Sequence, residues 1–181
     1  MKFHVTREEK LEEHKLPIML DHPWHLTASA VVVAAGHILM VHHKRIGAWL
    51  PPGGHPHGGE LPHQTAVRET LEETGVAVKV VSEPLPESSD SQAFFLPQPL
   101  CTHLVYANEK GSSLYHLDVA YLCQPVQPVL AGQQLPAPSK VEEVHCARWF
   151  DLSAIGTDIV LAKNVEGIIA LALAKLGAGK A

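Results

Sequence analysis

The stretch GGHPHGGELPHQTAVRETLEETGV, Gly53 to Val76, decides how the rest of the chain is read. It opens as a Pro/Gly-rich loop, and Pro51-Pro52-Gly53-Gly54 is expected to break all regular structure. Helical pattern follows from about Leu61 to Thr74, with Gly75 as a C-terminal stop. At about 100° per residue, Glu69, Glu72 and Glu73 share roughly one third of the helix circumference, with Val67, Leu71 and Thr74 opposite. The expected helix buries the Val67, Leu71 and Thr74 side and presents three carboxylates on the other. Like charges at i,i+3 and i,i+4 destabilise a helix modestly, and a divalent cation offsets that cost. Three clustered carboxylates form a hard, all-oxygen donor set, which suits Mg2+ or Mn2+. The glycines at 53, 54, 58 and 59 permit sharp turns and close approach of the backbone to a ligand. Arg68 either fixes the glutamates by ion pairing or reaches a phosphate bidentately. Taken alone, Glu-Thr-Leu-Glu-Glu reads better as a solvated acidic helix face, since such strings are common in exposed helices.

The longer spacing separates these readings. Gly54 is followed after five residues by Glu60, and after seven more by Arg68-Glu69; Glu72-Glu73 and Gly75-Val76 complete the pattern. This stretch, 54–76, resembles the Nudix box of the MutT-like Nudix hydrolases. Every specified residue is present; Thr70 stands where a larger aliphatic is usual, and Leu50-Pro51-Pro52-Gly53-Gly54 resembles the family's lead-in with one extra proline. The resemblance implies an α+β fold: an α/β/α sandwich with a mixed β-sheet and a loop-helix-loop catalytic box. It implies divalent-metal-dependent hydrolysis of a diphosphate linkage in a nucleoside diphosphate joined to another moiety: a nucleoside triphosphate, a nucleotide sugar or a dinucleotide.

Carried onto this chain, the resemblance makes Glu69, Glu72 and Glu73 the metal ligands, with the Gly53 carbonyl completing the coordination. Glu69 is a ligand or the group that activates water, Glu73 and Arg68 join it as catalytic residues, and Arg68, Glu60 and Gly54 orient the carboxylates. Glu142 and Glu143 are candidates for a base or a further ligand from outside the box. The alternative is a catalytically silent domain that binds a nucleotide as a regulator. Loss of a box glutamate would mark it, and none is lost.

Composition sets bounds on these expectations. The chain has 181 residues, 46% of them hydrophobic and 18% charged, which is globular and matches one domain over 1–181. No apolar run approaches the length of a membrane helix. The net charge of −5 disfavours nucleic acid and anionic membranes as partners. The expected partner is a small nucleotide diphosphate derivative, with a homodimer left open. The charged start MKFHVTREEKLEEHK lacks an apolar signal region, so the cytoplasm is the expected compartment. Cys101, Cys123 and Cys146 are widely spaced and read as small strand hydrophobes.

Outside the box, a helix is expected from about Thr6 to His14, and strands at Leu26–Val33, Ile38–His43, Val76–Val81, Cys101–Ala107, Leu114–Cys123 and Val144–Phe150. A C-terminal helix is expected over Asp158–Leu176, and two Pro-rich loops over 83–99 and 124–138. Thirteen histidines invite a metalloprotein reading, but no His-Glu-x-x-His and no Cys-x-x-Cys is present. His55 and His57 lie in the box loop and His43 at a strand end, where substrate contact competes with simple exposure. Trp49 and Phe94 are candidates to stack on a base, against core packing or loop anchoring. His22, His25, His37, His103, His116 and His145 carry no spacing signal.

Overall fold

A computed structural model describes residues 23–83, 85–87, 92–109, 111–128, 135, 142–155 and 159–178. The expected helix at Thr6–His14 lies outside the described residues, as do parts of both Pro-rich loops. Eight strands form one mixed sheet: β1 (Trp24–Ala34), β2 (His37–His43), β3 (Ala48–Leu50), β4 (Gly53–Gly54), β5 (Val78–Val80), β6 (Cys101–Glu109), β7 (Ser112–Pro125) and β8 (Val144–Asp151). Among the described residues two α-helices, α1 (Pro62–Thr74) and α2 (Val165–Ala178), accompany the sheet.

β1 and β2, at the two strands expected first, form a hairpin through Ala35 and Gly36. Both have positive φ, 48° and 78°, the twist that a tight antiparallel turn requires. β1 also pairs in parallel with β7 over Trp24–Val32 and Tyr115–Cys123. A parallel neighbour puts β1 mid-sheet, so both its faces need cover. Alternation supplies it. Ala28, Ala30 and Val32 point to one face with Leu39, Ala66, Val78, Tyr121 and Cys123, the layer under α1. Val31 points to the other with Ile38, Met40, Ala120 and Leu122, against Val165, Ile168, Ile169 and Ala172 of α2. The result is a sheet between helices.

Three sequence expectations need correction. Gly53 and Gly54 do not break regular structure: as β4 they pair with Ser29 and Ala28 of β1. Their lack of side chains makes this possible, because a Cβ on Gly53 would stand 2.5 Å from the Ala28 carbonyl oxygen. The C-terminal helix begins at Val165, well after Asp158. Val160 to Ala162 runs extended beside β3, with Trp49 N–H donating to Val160 O at 2.9 Å and Ala162 N–H to Trp49 O at 3.0 Å. Asn164, at φ 66°, then turns the chain into α2.

The third correction is the facing of α1. Leu71 is 51% exposed, while Glu69 and Glu73 are each 1% exposed and sit among buried Thr65, Ala66, Thr70 and Thr74. Thr74 is buried and Val67 packs on the core as expected, but the helix also turns Glu69 and Glu73 inward and leaves Leu71 outside. No helix among the described residues is long and apolar enough to cross a membrane.

Candidate active site

α1 is pinned at both ends. Pro62 opens it, and the Gln64 side chain reaches back to accept from Leu61 N–H at 3.0 Å. Gly75 closes it at φ 70°, its N–H donating to Leu71 O at 2.8 Å. Thr70 and Thr74 donate their hydroxyls to the carbonyls of Ala66 and Thr70, four residues back, so the buried helix face carries no idle polar group at either threonine.

Arg68 is the hub of the site. Its Nε donates to Glu60 Oε1 at 2.6 Å and its Nη2 to Glu60 Oε2 at 2.9 Å, a two-pronged pair. Nη1 donates to Glu69 Oε1 at 2.8 Å and to Glu72 Oε2 at 2.9 Å, and Nη2 also reaches the His55 carbonyl at 3.1 Å. Glu60 additionally accepts from His57 N–H and the Thr65 hydroxyl, each at 3.0 Å. The Arg68 hydrogen bond first, and the His57 N–H second, hold the Glu60 carboxyl at about 2, well below the usual carboxylate range. The same contacts push the Arg68 guanidinium further above its ordinary value, with the Glu60 hydrogen bond the largest cause. Of the two readings of Arg68, ion pairing is the one the geometry displays.

Glu73 reaches across to β4, where its Oε2 accepts from Gly53 N–H at 2.9 Å. Glu69 lies against Gly54: a Cβ there would stand 2.6 Å from Glu69 Oε1. Both glycines are therefore required by space, Gly53 by the backbone of β1 and Gly54 by a carboxylate. Two buried carboxylates, with a third 30% exposed in Glu72, form an all-oxygen donor set beside β4. That chemistry fits a hard divalent cation.

The other candidates scatter. Trp49 packs on Phe150 at 4.7 Å between ring centroids, within the cluster under α2. Phe94 is exposed in its loop. His57 holds Glu60 through its backbone. His43 accepts from the N–H groups of Arg45 and Ile46, and burial, then Arg45, push its pKa down. Glu142 and Glu143 are exposed at the turn into β8, and the Glu143 carbonyl accepts from Lys44 N–H at 2.9 Å.

Sequence reasoning missed one polar network. On the sheet face under α2, Asp118 accepts from the Thr27 hydroxyl at 2.9 Å and the Ser29 hydroxyl at 2.6 Å, with His103 Nε2 at 3.1 Å. β1 and β7 place Thr27 opposite Asp118 in register, so the signal is one of pairing and not of local spacing.

The NUDIX domain family model matches residues 23–171. Solved structures share the fold. A NUDIX-family hydrolase from Clostridium perfringens superposes with TM-score 0.62 at 22% identity, covering 83% of this chain and 95% of that one. The NUDIX domain of Shewanella oneidensis NrtR, solved with ADP ribose, gives 0.58 at 19% identity, covering 95% and 99%. An ADP-ribose pyrophosphatase from Streptococcus suis gives 0.52 at 20%, covering 83% and 90%. With the family match spanning most of its length and the box intact from Gly54 to Val76, the chain belongs to the Nudix hydrolase family.

Proposed function

We propose that the protein hydrolyses a diphosphate linkage in a nucleoside diphosphate joined to another moiety, with Mg2+ or Mn2+ held by Glu69, Glu72, Glu73 and the Gly53 carbonyl. The observation that carries this is the burial of Glu69 and Glu73 at 1% exposure each. Together with Glu72 they gather three carboxylates beside β4, a hard all-oxygen donor set of the kind that holds such a cation. When bound, such a cation neutralises diphosphate oxygens and lowers the pKa of a water. The chain's own residues do the positioning. Glu60 fixes Arg68, Arg68 fixes Glu69 and Glu72, and the Gly53 amide fixes Glu73. The leaving group of a diphosphate is a phosphate, so alignment matters more than acid catalysis. Glu69 is the first candidate to take the proton from water, and Glu142 or Glu143 the candidates from outside the box.

Within the substrate class, ADP-ribose is the first compound to try, because two proteins of the same fold are solved as an ADP-ribose complex and as an ADP-ribose pyrophosphatase. The test is a panel of ADP-ribose, nucleotide sugars, dinucleotides and nucleoside triphosphates with Mg2+ or Mn2+. Turnover of at least one member that Glu73→Gln abolishes supports the reading. Tight binding with no turnover across the panel overturns it in favour of a silent nucleotide-binding domain.

A further inference from the structure

Four side chains that sequence spacing leaves unconnected meet at one end of the sheet. His25 comes from the start of β1, His55 from the loop after β4, and Glu109 from the end of β6; their ligand atoms lie within 4.8 Å of one another. His116 of β7 is the fourth. It pairs in register with His25, its ring centroid is 5.2 Å from that of His55, and its Nε2 is 3.2 Å from Glu109 Oε1. That nitrogen is buried and makes no well-formed hydrogen bond, with the Glu109 carboxylate its neighbour. An orphaned buried ring nitrogen beside two further imidazoles and a carboxylate calls for a shared partner.

The chemistry of the set selects that partner. Three imidazole nitrogens and one carboxylate oxygen are borderline donors, suited to Zn2+ and its neighbours and distinct from the all-oxygen box. We propose that His25, His55, His116 and Glu109 form a second cation site, for a transition ion of the Zn2+ class. It stands on its own residues and does not require the box to hold a metal. A tetrahedral site with bonds of about 2.0–2.1 Å brings its donors to within about 3.5 Å of one another. The donors of His25, His55 and Glu109, now within 4.8 Å of one another, therefore close by roughly an ångström on binding, and exposed His25 has room to rotate.

Protonation favours the site as well. A ligating imidazole must be neutral, and burial pushes the His116 pKa down, with neighbouring His55 adding to the effect and Glu109 opposing it. Burial raises the Glu109 carboxyl, but the hydrogen bond from Arg45 and the nearby His55 and His116 bring it below its ordinary value overall. The opposing element is Arg45, whose Nη2 sits 3.2 Å from Glu109 Oε1. Its side chain is half exposed, so it can leave for solvent as a cation enters. The site also touches the box, because the His55 carbonyl accepts from Arg68.

The experiment titrates Zn2+ into the full chain by calorimetry, without substrate and in a large excess of Mg2+ that occupies oxygen sites. One Zn2+ per chain is expected, with His25→Ala and His116→Ala each weakening it by at least about tenfold. Arg45→Gln should tighten it, and Glu73→Gln should leave it in place. Co2+ in the same protein should give the strong visible absorption of a tetrahedral nitrogen-ligated ion. The proposal is overturned by either of two results. One is no Zn2+ retained against Mg2+, including the case where the histidines respond only to added pyrophosphate. The other is Zn2+ binding that survives His25→Ala and His116→Ala yet disappears in Glu73→Gln, which assigns the ion to the box. Since no readout involves hydrolysis, failure here is separable from failure of the Mg2+-dependent activity.

Discussion

The Glu69 carboxylate occupies the space where a Gly54 side chain would stand, with Oε1 2.6 Å and Cδ 2.8 Å from the position of a Cβ. Gly54 is therefore not a flexible hinge. It is the wall against which a buried carboxylate is set.

A methyl group at Gly54 must push Glu69 away from Arg68 Nη1, which now holds it at 2.8 Å. Gly54→Ala is expected to lower kcat by roughly 10–100-fold, the usual effect of disturbing a group that orients a ligand. Melting temperature should change little, because a side chain can yield. Gly53→Ala should lower both kcat and melting temperature, since its Cβ would meet the Ala28 carbonyl at 2.5 Å and the Ser29 Cα at 2.8 Å, both backbone, and the displaced Gly53 amide holds Glu73. Paired measurements of kcat and melting temperature on the two variants check this split.

Arg68→Lys tests the hub. A lysine offers one compact ammonium where the guanidinium reaches Glu60, Glu69, Glu72 and the His55 carbonyl together. Charge is kept and geometry lost, so activity should fall by roughly 10–100-fold. Denaturant unfolding should show a loss on the order of 2 kcal/mol, the scale of a hydrogen bond to a charged group.

The box was legible in the sequence because its spacing is local: Gly54, Glu60, Arg68, Glu69, Glu72 and Glu73 lie within one loop and one helix. The hairpin of β1 and β2 was legible for the same reason. The facing of α1 was not. Hydrophobicity assigns Leu71 to the core, but the helix approaches the sheet through small Ala66 and the hydroxyl-donating threonines at 70 and 74. Arg68 and the Gly53 amide then make two inward glutamates tolerable. The groupings of His25 with His116 and of Thr27 with Asp118 depend on the parallel pairing of β1 with β7, residues about ninety apart, which leaves no local signature.

The Glu60 carboxyl carries a pH dependence of fixed sign. Its ordinary value of 4.5 falls to about 2 in the folded chain, mainly through the Arg68 hydrogen bond. A depressed carboxylate contributes stability that is fully present above the unfolded value and lost as pH falls through the folded one. The contribution should therefore be intact above pH 4.5 and disappear progressively towards pH 2. Glu60→Gln should be less stable than the parent at neutral pH, and the two unfolding curves should converge over that acidic window. Curves that stay parallel down to pH 2 would contradict the assignment.

Glu73→Gln separates function from stability at one atom. The buried carboxylate accepts from Gly53 N–H through Oε2, and an amide oxygen can accept the same bond. What the substitution removes is one anionic donor of the proposed cation site. In EDTA, Glu73→Gln should melt close to the parent, although it cannot hydrolyse substrate. Adding Mg2+ should separate the two, since a ligand that binds only the folded state raises its stability by linkage, and the parent gains more than the variant. Glu72→Gln should likewise blunt the Mg2+ shift. The diagnostic quantity is thus the divergence of two melting curves with Mg2+ concentration. If Glu73→Gln gains as much from Mg2+ as the parent, the case for a cation held by Glu73 loses its main support.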